Sequence, residues 1–113
     1  MEYVYLMRKG SRIKIGKSRN PQQRFNYLRY SGGAEELLWT LPCEDYTNTE
    51  RALHARFWRV RGAGEYFDLT SEDVEWIMSQ TEAGICEGFD AKKNSTWSRG
   101  FLSLLYWEKR SGG

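Results

Sequence analysis

The stretch that decides the fold is "VYLMRKGSRIKIGKSRNPQQRF", residues 4–25. Apolar and polar residues alternate on both sides of a turn that contains Gly10, a pattern typical of two antiparallel strands joined as a hairpin. The first strand is predicted to divide its side chains between two faces, with Tyr3, Tyr5 and Met7 on one and Val4 and Leu6 on the other. A short helix is predicted to follow, because Asn20 is a favourable N-cap and Pro21 suits the first helical position.

The rest of the chain continues with further strands and helices. The predicted elements are a third strand at 35–42, a main helix at 47–62, a fourth strand at 64–69, a capped helix at 70–80, a loop at 81–96 and a last helix at 97–110. This order, β-β-α-β-α-β-α-α, predicts a small α+β domain with a mixed or antiparallel sheet flanked by helices. We expect a core at 1–80 and a C-terminal loop and helix at 81–113. Val74, Ile77 and Met78 are predicted to share one face of the capped helix.

The charges of the 113-residue chain are unevenly distributed, although the net charge is only +2. Residues 1–30 hold eight Lys or Arg against one acid, residues 31–91 hold four against thirteen, and residues 92–113 hold five against one. Such a division suits a protein that binds a polyanion with some surfaces and keeps carboxylates for a cation elsewhere. The alternative is an ordinary solvated surface of mixed charge.

Composition and motifs make several classes of protein improbable. No apolar stretch approaches the length that spans a bilayer, and the N-terminus lacks the features of a signal peptide, so we expect a cytoplasmic protein with no membrane partner. Cys43 and Cys86 stand alone in a chain with one histidine, which argues against a zinc site. Reduced thiols are the favoured interpretation, and a single disulfide is the alternative.

The basic residues of the opening stretch form a candidate phosphate site. Arg12 and Lys14 share a face of the second strand, Lys17 and Arg19 lie just past it, and Arg24 projects from the first turn of the helix. Helix N-termini attract anions, and arginine offers two parallel donors to phosphate oxygens. These side chains are therefore predicted to converge on a phosphate.

Carboxylates of the middle segment are candidates for a cation site. Glu50 and His54 lie one turn apart on the main helix, and Glu65 begins the fourth strand. Thr47 and Glu50 also match a capping box, which explains the glutamate without a metal. Likewise His54 suits a proton shuttle or simple packing, and Glu65 suits an ion pair or an extension of the acidic site.

Two blocks of sequence resemble the GIY-YIG nuclease superfamily. The first is a pair of tripeptides, Tyr3-Val4-Tyr5 and Lys14-Ile15-Gly16, followed by Arg24 at the family spacing. The second resembles the phage-associated branch: Glu50, Leu53-His54, Phe57 and Gly64-Glu65-Tyr66-Phe67. The agreement spans about residues 3–69.

The resemblance implies a DNA endonuclease that hydrolyses phosphodiester bonds with an activated water. It implies that Tyr5 lies near that water, that Arg24 binds phosphate, and that Glu50 holds a single Mg²⁺ or Mn²⁺. Lys17 would be the basic neighbour, with Tyr3 in support. Lys14 departs from the pattern, because the superfamily carries a tyrosine there that serves as a proposed general base. A protonated lysine cannot take a proton, so Lys14 could serve as base only if burial or neighbouring cations lowered its pKa strongly; Tyr5, His54 and a metal-bound hydroxide are the alternatives.

Three functional hypotheses follow. The first is the endonuclease, and the second is a nucleic-acid-binding module of the same fold that has lost turnover because of Lys14. The third is a phage or mobile-element accessory protein that acts through the apolar segment at residues 101–107. That segment is either part of the core or, within residues 97–110, the interface of a homodimer.

Overall fold

Four strands and four helices are built from residues 1–91, the part of the chain that the computed structural model describes. In order they are β1 (Glu2–Lys9), β2 (Arg12–Ser18), α1 (Pro21–Ser31), β3 (Glu36–Cys43), α2 (Tyr46–Arg56), a 3-10 turn (Trp58–Val60), β4 (Tyr66–Phe67), α3 (Ser71–Met78) and α4 (Glu82–Cys86). The α+β class is confirmed. The predicted helix at 97–110 and its dimer interface lie outside the described residues. No helix within 1–91 has the length and apolar character needed to cross a bilayer.

The sheet has the strand order β3-β1-β2-β4, and every neighbouring pair is antiparallel. In the β1–β2 hairpin, Tyr5 lies opposite Gly16. The fourth strand covers only the first half of β2, since its two residues pair with Ile13 and Lys14. One more hydrogen bond, from the Ile15 amide to the Glu65 carbonyl, closes this contact at 3.0 Å. Past Ile15, the outer edge of β2 has no strand partner among residues 1–91.

Helices cover both faces of the sheet, as the alternation in β1 requires. One face packs against α1 in a cluster of Tyr5, Met7, Phe25, Leu28 and Ala34. The other face packs against α2, α3 and α4 in a larger cluster that includes Val4, Leu6, Ile15, Leu53 and Ile77. The predicted division of β1 between two faces is confirmed. Residues on opposite faces of the sheet are therefore separated only by the thickness of the sheet.

Helix α2 differs from the prediction at both ends. Its N-cap is Asp45, whose carboxylate accepts a hydrogen bond from the Asn48 amide at 3.1 Å. Aspartate is among the preferred N-cap residues, so the helix begins one residue before Thr47 and the predicted Thr47–Glu50 capping box is wrong. The helix ends at Arg56, and a 3-10 turn replaces the expected continuation toward Gly62. Glu50 is therefore not explained by capping.

The segment that begins at Thr81 also differs from the prediction, because it contains α4 where a loop was expected. Thr81 caps this helix by accepting from the Gly84 amide at 3.0 Å. Ile85 is buried in the larger core cluster, so the core extends past residue 80. Five residues are too few to display a helical period, which is why the sequence pattern missed it.

The exposed side of α3 corrects a further detail. Ile77 is fully buried and Val74 is partly buried, as expected for the apolar face. Met78, predicted to join them, is exposed. Met78 follows Ile77 and is therefore rotated by about 100° around the helix axis, which is enough to turn its side chain to solvent.

Gly16 allows the Tyr5 ring to lie across β2. A Cβ at this position would stand 2.4 Å from the Tyr5 ring and its hydroxyl. We expect Gly16→Ala to displace Tyr5 and to cost about 1–3 kcal/mol of stability, as overpacking generally does. Urea unfolding of Gly16→Ala, Tyr5→Ala and the double variant would test this. A coupling energy near zero in that cycle would contradict the contact.

Candidate active site

The candidate site lies at the uncovered half of the β2 edge, where side chains from both faces of the sheet meet. Helix α1 brings Arg24 from one face, and α2 brings Glu50 and His54 from the other. Glu65 enters from the segment just before β4, where its carbonyl binds β2. The short β4 is what leaves room for these groups.

A cluster of two carboxylates and one imidazole forms the centre of the site. Each of Glu50, His54 and Glu65 offers one ligand atom, and these atoms lie within 4.8 Å of one another. Nε2 of His54 lies 2.8 Å from the Ile15 carbonyl oxygen, which can only accept, so Nε2 carries the proton and donates. In the neutral ring, Nδ1 is therefore the nitrogen that carries the lone pair. Phe67 packs beside the imidazole, with ring centroids 5.0 Å apart.

Glu50 is a buried carboxylate with an unpaired oxygen. The residue is 7% exposed, and its Oε2 has no hydrogen-bond partner within residues 1–91. Burial, and after it the negative charge of Glu65, raise the pKa of Glu50 from 4.5 to about 7. An unpaired buried carboxylate oxygen is costly, so Glu50 suits a proton or a cation.

Lys14 is bound to the second carboxylate of the cluster. Its Nζ lies 3.0 Å from Oε1 of Glu65, and the side chain is almost fully buried beneath the ring of Tyr66. Burial works against ionisation of Glu65, but the hydrogen bond and the charge of Lys14 outweigh it and lower the pKa of Glu65. The two glutamates thus differ in protonation. Glu65 is an ionised carboxylate paired with Lys14, whereas Glu50 is partly protonated near neutral pH.

Tyr5 and Arg24 form the opposite side of the site. Tyr5 is 1% exposed, whereas Arg24 is exposed to solvent at the first turn of α1. Burial raises the pKa of Tyr5 to about 12, although a hydrogen bond with the Arg24 side chain partly offsets this effect. The charges of Glu65 and Glu50 also raise the pKa of Tyr5, which links the tyrosine electrostatically to the cluster.

The remaining predicted cations are dispersed. Arg12 lies opposite Lys9 near the turn, five residues along β2 from Lys17, a distance of about 17 Å. Lys17 instead contacts the start of α2, with Nζ 2.9 Å from Oγ1 of Thr47. Arg19 is largely exposed and pairs with Glu2 at 3.5 Å. Because one residue of strand advances the chain by over 3 Å, Arg12 lies well apart from Lys17 along β2, and the convergence of these cations on one phosphate stays a prediction.

Two features of the site were only partly visible in the sequence. Glu50 and His54 could be paired from their spacing on one helix, but the ion pair between Lys14 and Glu65 joins residues 51 positions apart. Only the pairing of β2 with β4 would reveal this contact, and a strand of two residues is too short to be recognised from the sequence pattern. Tyr3, proposed as a supporting residue, is half-buried on β1 between Ser18 and Pro42.

Comparison with known proteins identifies a family. The model of the T5orf172 domain matches residues 2–82, which include every element from β1 to β4 and the whole of α3. This phage-associated domain is related to nuclease folds. Neither the curated proteins nor the solved structures contain a match.

Proposed function

We propose that this chain, which belongs to the T5orf172 domain family, is a metal-dependent DNA endonuclease of the GIY-YIG type. The family is nuclease-like, and our proposal adds that this chain itself hydrolyses the phosphodiester bond. One observation carries the proposal: the buried Glu50 carboxylate, with an unpaired oxygen, lies in a cluster with His54 and Glu65. A purely structural glutamate at this position would be expected to have its oxygens paired.

The donor set of the cluster fits a divalent cation. Glu50 would be the principal ligand, with Glu65 as a further donor. Carboxylates suit Mg²⁺ and Mn²⁺ alike. When bound, such a cation supplies a Lewis acid that neutralises charge developing on the phosphate.

Arg24 is proposed to bind the scissile phosphate. Its guanidinium is exposed, always charged and able to donate two parallel hydrogen bonds to phosphate oxygens. Tyr5 is the buried neighbour of this guanidinium, whose presence lowers the pKa of the phenol. Lys17, at the end of β2, adds positive charge beside the site.

The proton of the attacking water is proposed to pass to the imidazole of His54. Lys14 is a poor acceptor because its ammonium donates to Glu65. Tyr5 is a poor acceptor because a pKa of about 12 keeps its phenol protonated at neutral pH. Tyr5 is therefore suited to donate a hydrogen bond that orients the water, and Lys14 to fix Glu65.

A DNA-binding module without turnover is the second candidate, and Lys14 favours it. The lysine occupies the position of the second-motif tyrosine and its ammonium is held by Glu65. Incubation of supercoiled plasmid with the protein and Mg²⁺ or Mn²⁺ separates the two candidates. Nicked or linear product that EDTA suppresses supports the endonuclease, whereas intact plasmid together with DNA binding at low salt supports the module.

Cation binding is expected to depend on pH through Glu50. Because the cation needs the ionised carboxylate, affinity for Mn²⁺ should rise about tenfold per pH unit below pH 7 and level off above it. Calorimetric titration at pH 5.5, 6.5 and 7.5, in buffers of different ionisation enthalpy, measures both the affinity and the released proton. An affinity that does not change across this range would contradict the assignment of Glu50.

A further inference from the structure

The outward face of α1 presents two aromatic rings to solvent. Pro21, Phe25 and Leu28 turn toward the sheet, whereas Tyr27 is 64% exposed and Tyr30 is 97% exposed. Tyrosines so exposed contribute little to the core. A pair of them one helical turn apart, beside a candidate active site, calls for another explanation.

Positive charge flanks these rings on both sides of the helix. At 100° per residue, Arg24 and Arg29 lie on opposite sides of the buried stripe, and the two tyrosines lie between them on the solvent side. No acidic residue occurs within Pro21–Ser31. The face is therefore complementary to a polyanion that also offers flat apolar surfaces.

We propose that this face, formed by Arg24, Tyr27, Arg29 and Tyr30, binds unpaired DNA bases by stacking while its arginines contact the backbone. The inference rests on the proposed function and adds the substrate class: DNA with a single-stranded segment next to the scissile phosphate. Bases within a duplex are already stacked on each other and offer no ring face to a tyrosine. Unpaired bases stack readily on aromatic side chains, whatever their identity.

Continuity with the active site supports this assignment. Arg24 belongs to both, since its side chain is near enough to Tyr5 to lower the pKa of that phenol, and its guanidinium carbon lies 5.7 Å from the centre of the Tyr27 ring. A strand whose phosphate is held by Arg24 would thus meet Tyr27 next. This places the unpaired segment directly beside the bond to be cut.

A basic cavity extends the same surface at the far end of α1. It has a volume of about 690 Å³ and is shallow, and Lys9, Arg12 and Arg29 contribute to its lining. Glu35 is the one acid among its lining residues, and its carboxylate is engaged by the Gly10 amide and by Arg8. Arg12, remote from the catalytic cluster, therefore acquires a role as a contact for a more distant phosphate.

Binding measurements without cleavage test the proposal. Fluorescence anisotropy in EDTA would compare a labelled single strand of about 12 nucleotides, within the usual site size, with the duplex of the same sequence. We expect Tyr27→Ala/Tyr30→Ala to weaken single-strand binding by about 10- to 100-fold and duplex binding by less than about twofold. The matched Tyr27→Phe/Tyr30→Phe variant retains both rings and should bind like the wild type. Circular dichroism verifies that both double variants are folded.

Two outcomes would overturn the inference: unchanged single-strand binding in the alanine variant, or equal losses for single strand and duplex. Because EDTA removes any cation-dependent reaction, these outcomes are independent of whether the chain cleaves DNA. A protein that fails to cut plasmid but loses single-strand binding with the tyrosines would refute the endonuclease and retain the stacking face. A protein that cleaves plasmid, but whose alanine variant still binds the single strand normally, would support the endonuclease and refute the stacking face.

Discussion

Replacing Glu50 with glutamine is expected to abolish cation-dependent cleavage and, in the same molecule, to stabilise the cation-free fold at pH 8. Cleavage should fall by at least about 100-fold, because the principal ligand of the cation is lost while the shape of the side chain is kept. Stability should rise because the wild type must bury an ionised, partly unpaired carboxylate at that pH. Opposite signs for activity and stability are the mark of a functional buried charge.

The direction of the stability change follows from the pKa of Glu50. Folding raises this pKa from 4.5 to about 7, so between these values the folded state holds a proton that the unfolded chain has released. Stability contributed by that proton is fully present below pH 4.5 and is lost as the pH rises through 7. The loss is on the order of 3 kcal/mol, since each pH unit corresponds to about 1.4 kcal/mol. Glutamine cannot ionise, so the Glu50→Gln variant should not lose stability as the pH rises through this range.

Urea unfolding at pH 5 and pH 8, without and with Mn²⁺, measures these effects together with plasmid cleavage. The exposed Glu75 offers a matched control, because Glu75→Gln removes the same charge from α3 without touching the site. A wild-type protein that is no less stable at pH 8 than at pH 5, or a Glu50→Gln variant that still cleaves, would contradict the role of Glu50.

Replacing Arg24 with alanine is expected to reduce cleavage by about 100- to 1,000-fold, the usual cost of removing a donor to a reacting phosphate group. The fold should be nearly unaffected, because the side chain is exposed and leaves the helix contacts of Phe25 and Leu28 intact. Loss of one phosphate contact should also reduce the slope of log affinity against log salt by about one. The pKa of Tyr5 should rise further, because the guanidinium lowers it in the wild type.

Arg19→Ala supplies the control for general loss of positive charge. Arg19 is close to Arg24 in sequence but is largely exposed and engaged with Glu2. Its removal should change DNA affinity slightly and the cleavage rate at saturating DNA hardly at all. Equal losses in the two variants would mean that Arg24 acts only through the overall field of the basic surface, and the assignment to the scissile phosphate would fall.

Much of the fold could be predicted because local and tertiary preferences agree in its first half. Alternation in β1 and β2 specifies two buried faces, and the Asn20–Pro21 pair begins α1 where the structure has it, with Asn20 Oδ1 accepting from the Gln23 amide. Prediction failed where two good caps competed. Asp45 and Thr47 both suit an N-cap, and Asp45 prevails in a helix that begins at Tyr46.

For the candidate site, only relations between residues of the same helix or strand could be predicted. Glu50 and His54 are neighbours on one helix, and the resemblance supplied Tyr5 and Arg24. The distinct states of the two glutamates were not predictable, because they depend on Lys14 reaching Glu65 across the β2–β4 contact. Local spacing carries no information on such a contact, since tertiary structure alone creates it.

The burial of Phe67 ties the integrity of the candidate site to the stability of the domain. Glu65 is held by its carbonyl bond to Ile15, by the short β4 pairing that follows, and by the ammonium of Lys14. Phe67, the second residue of β4, is fully buried in the core between the sheet and helices α2 to α4. Detachment of this segment would therefore dismantle the cluster and open the core in the same step, so the site and the fold should be lost together.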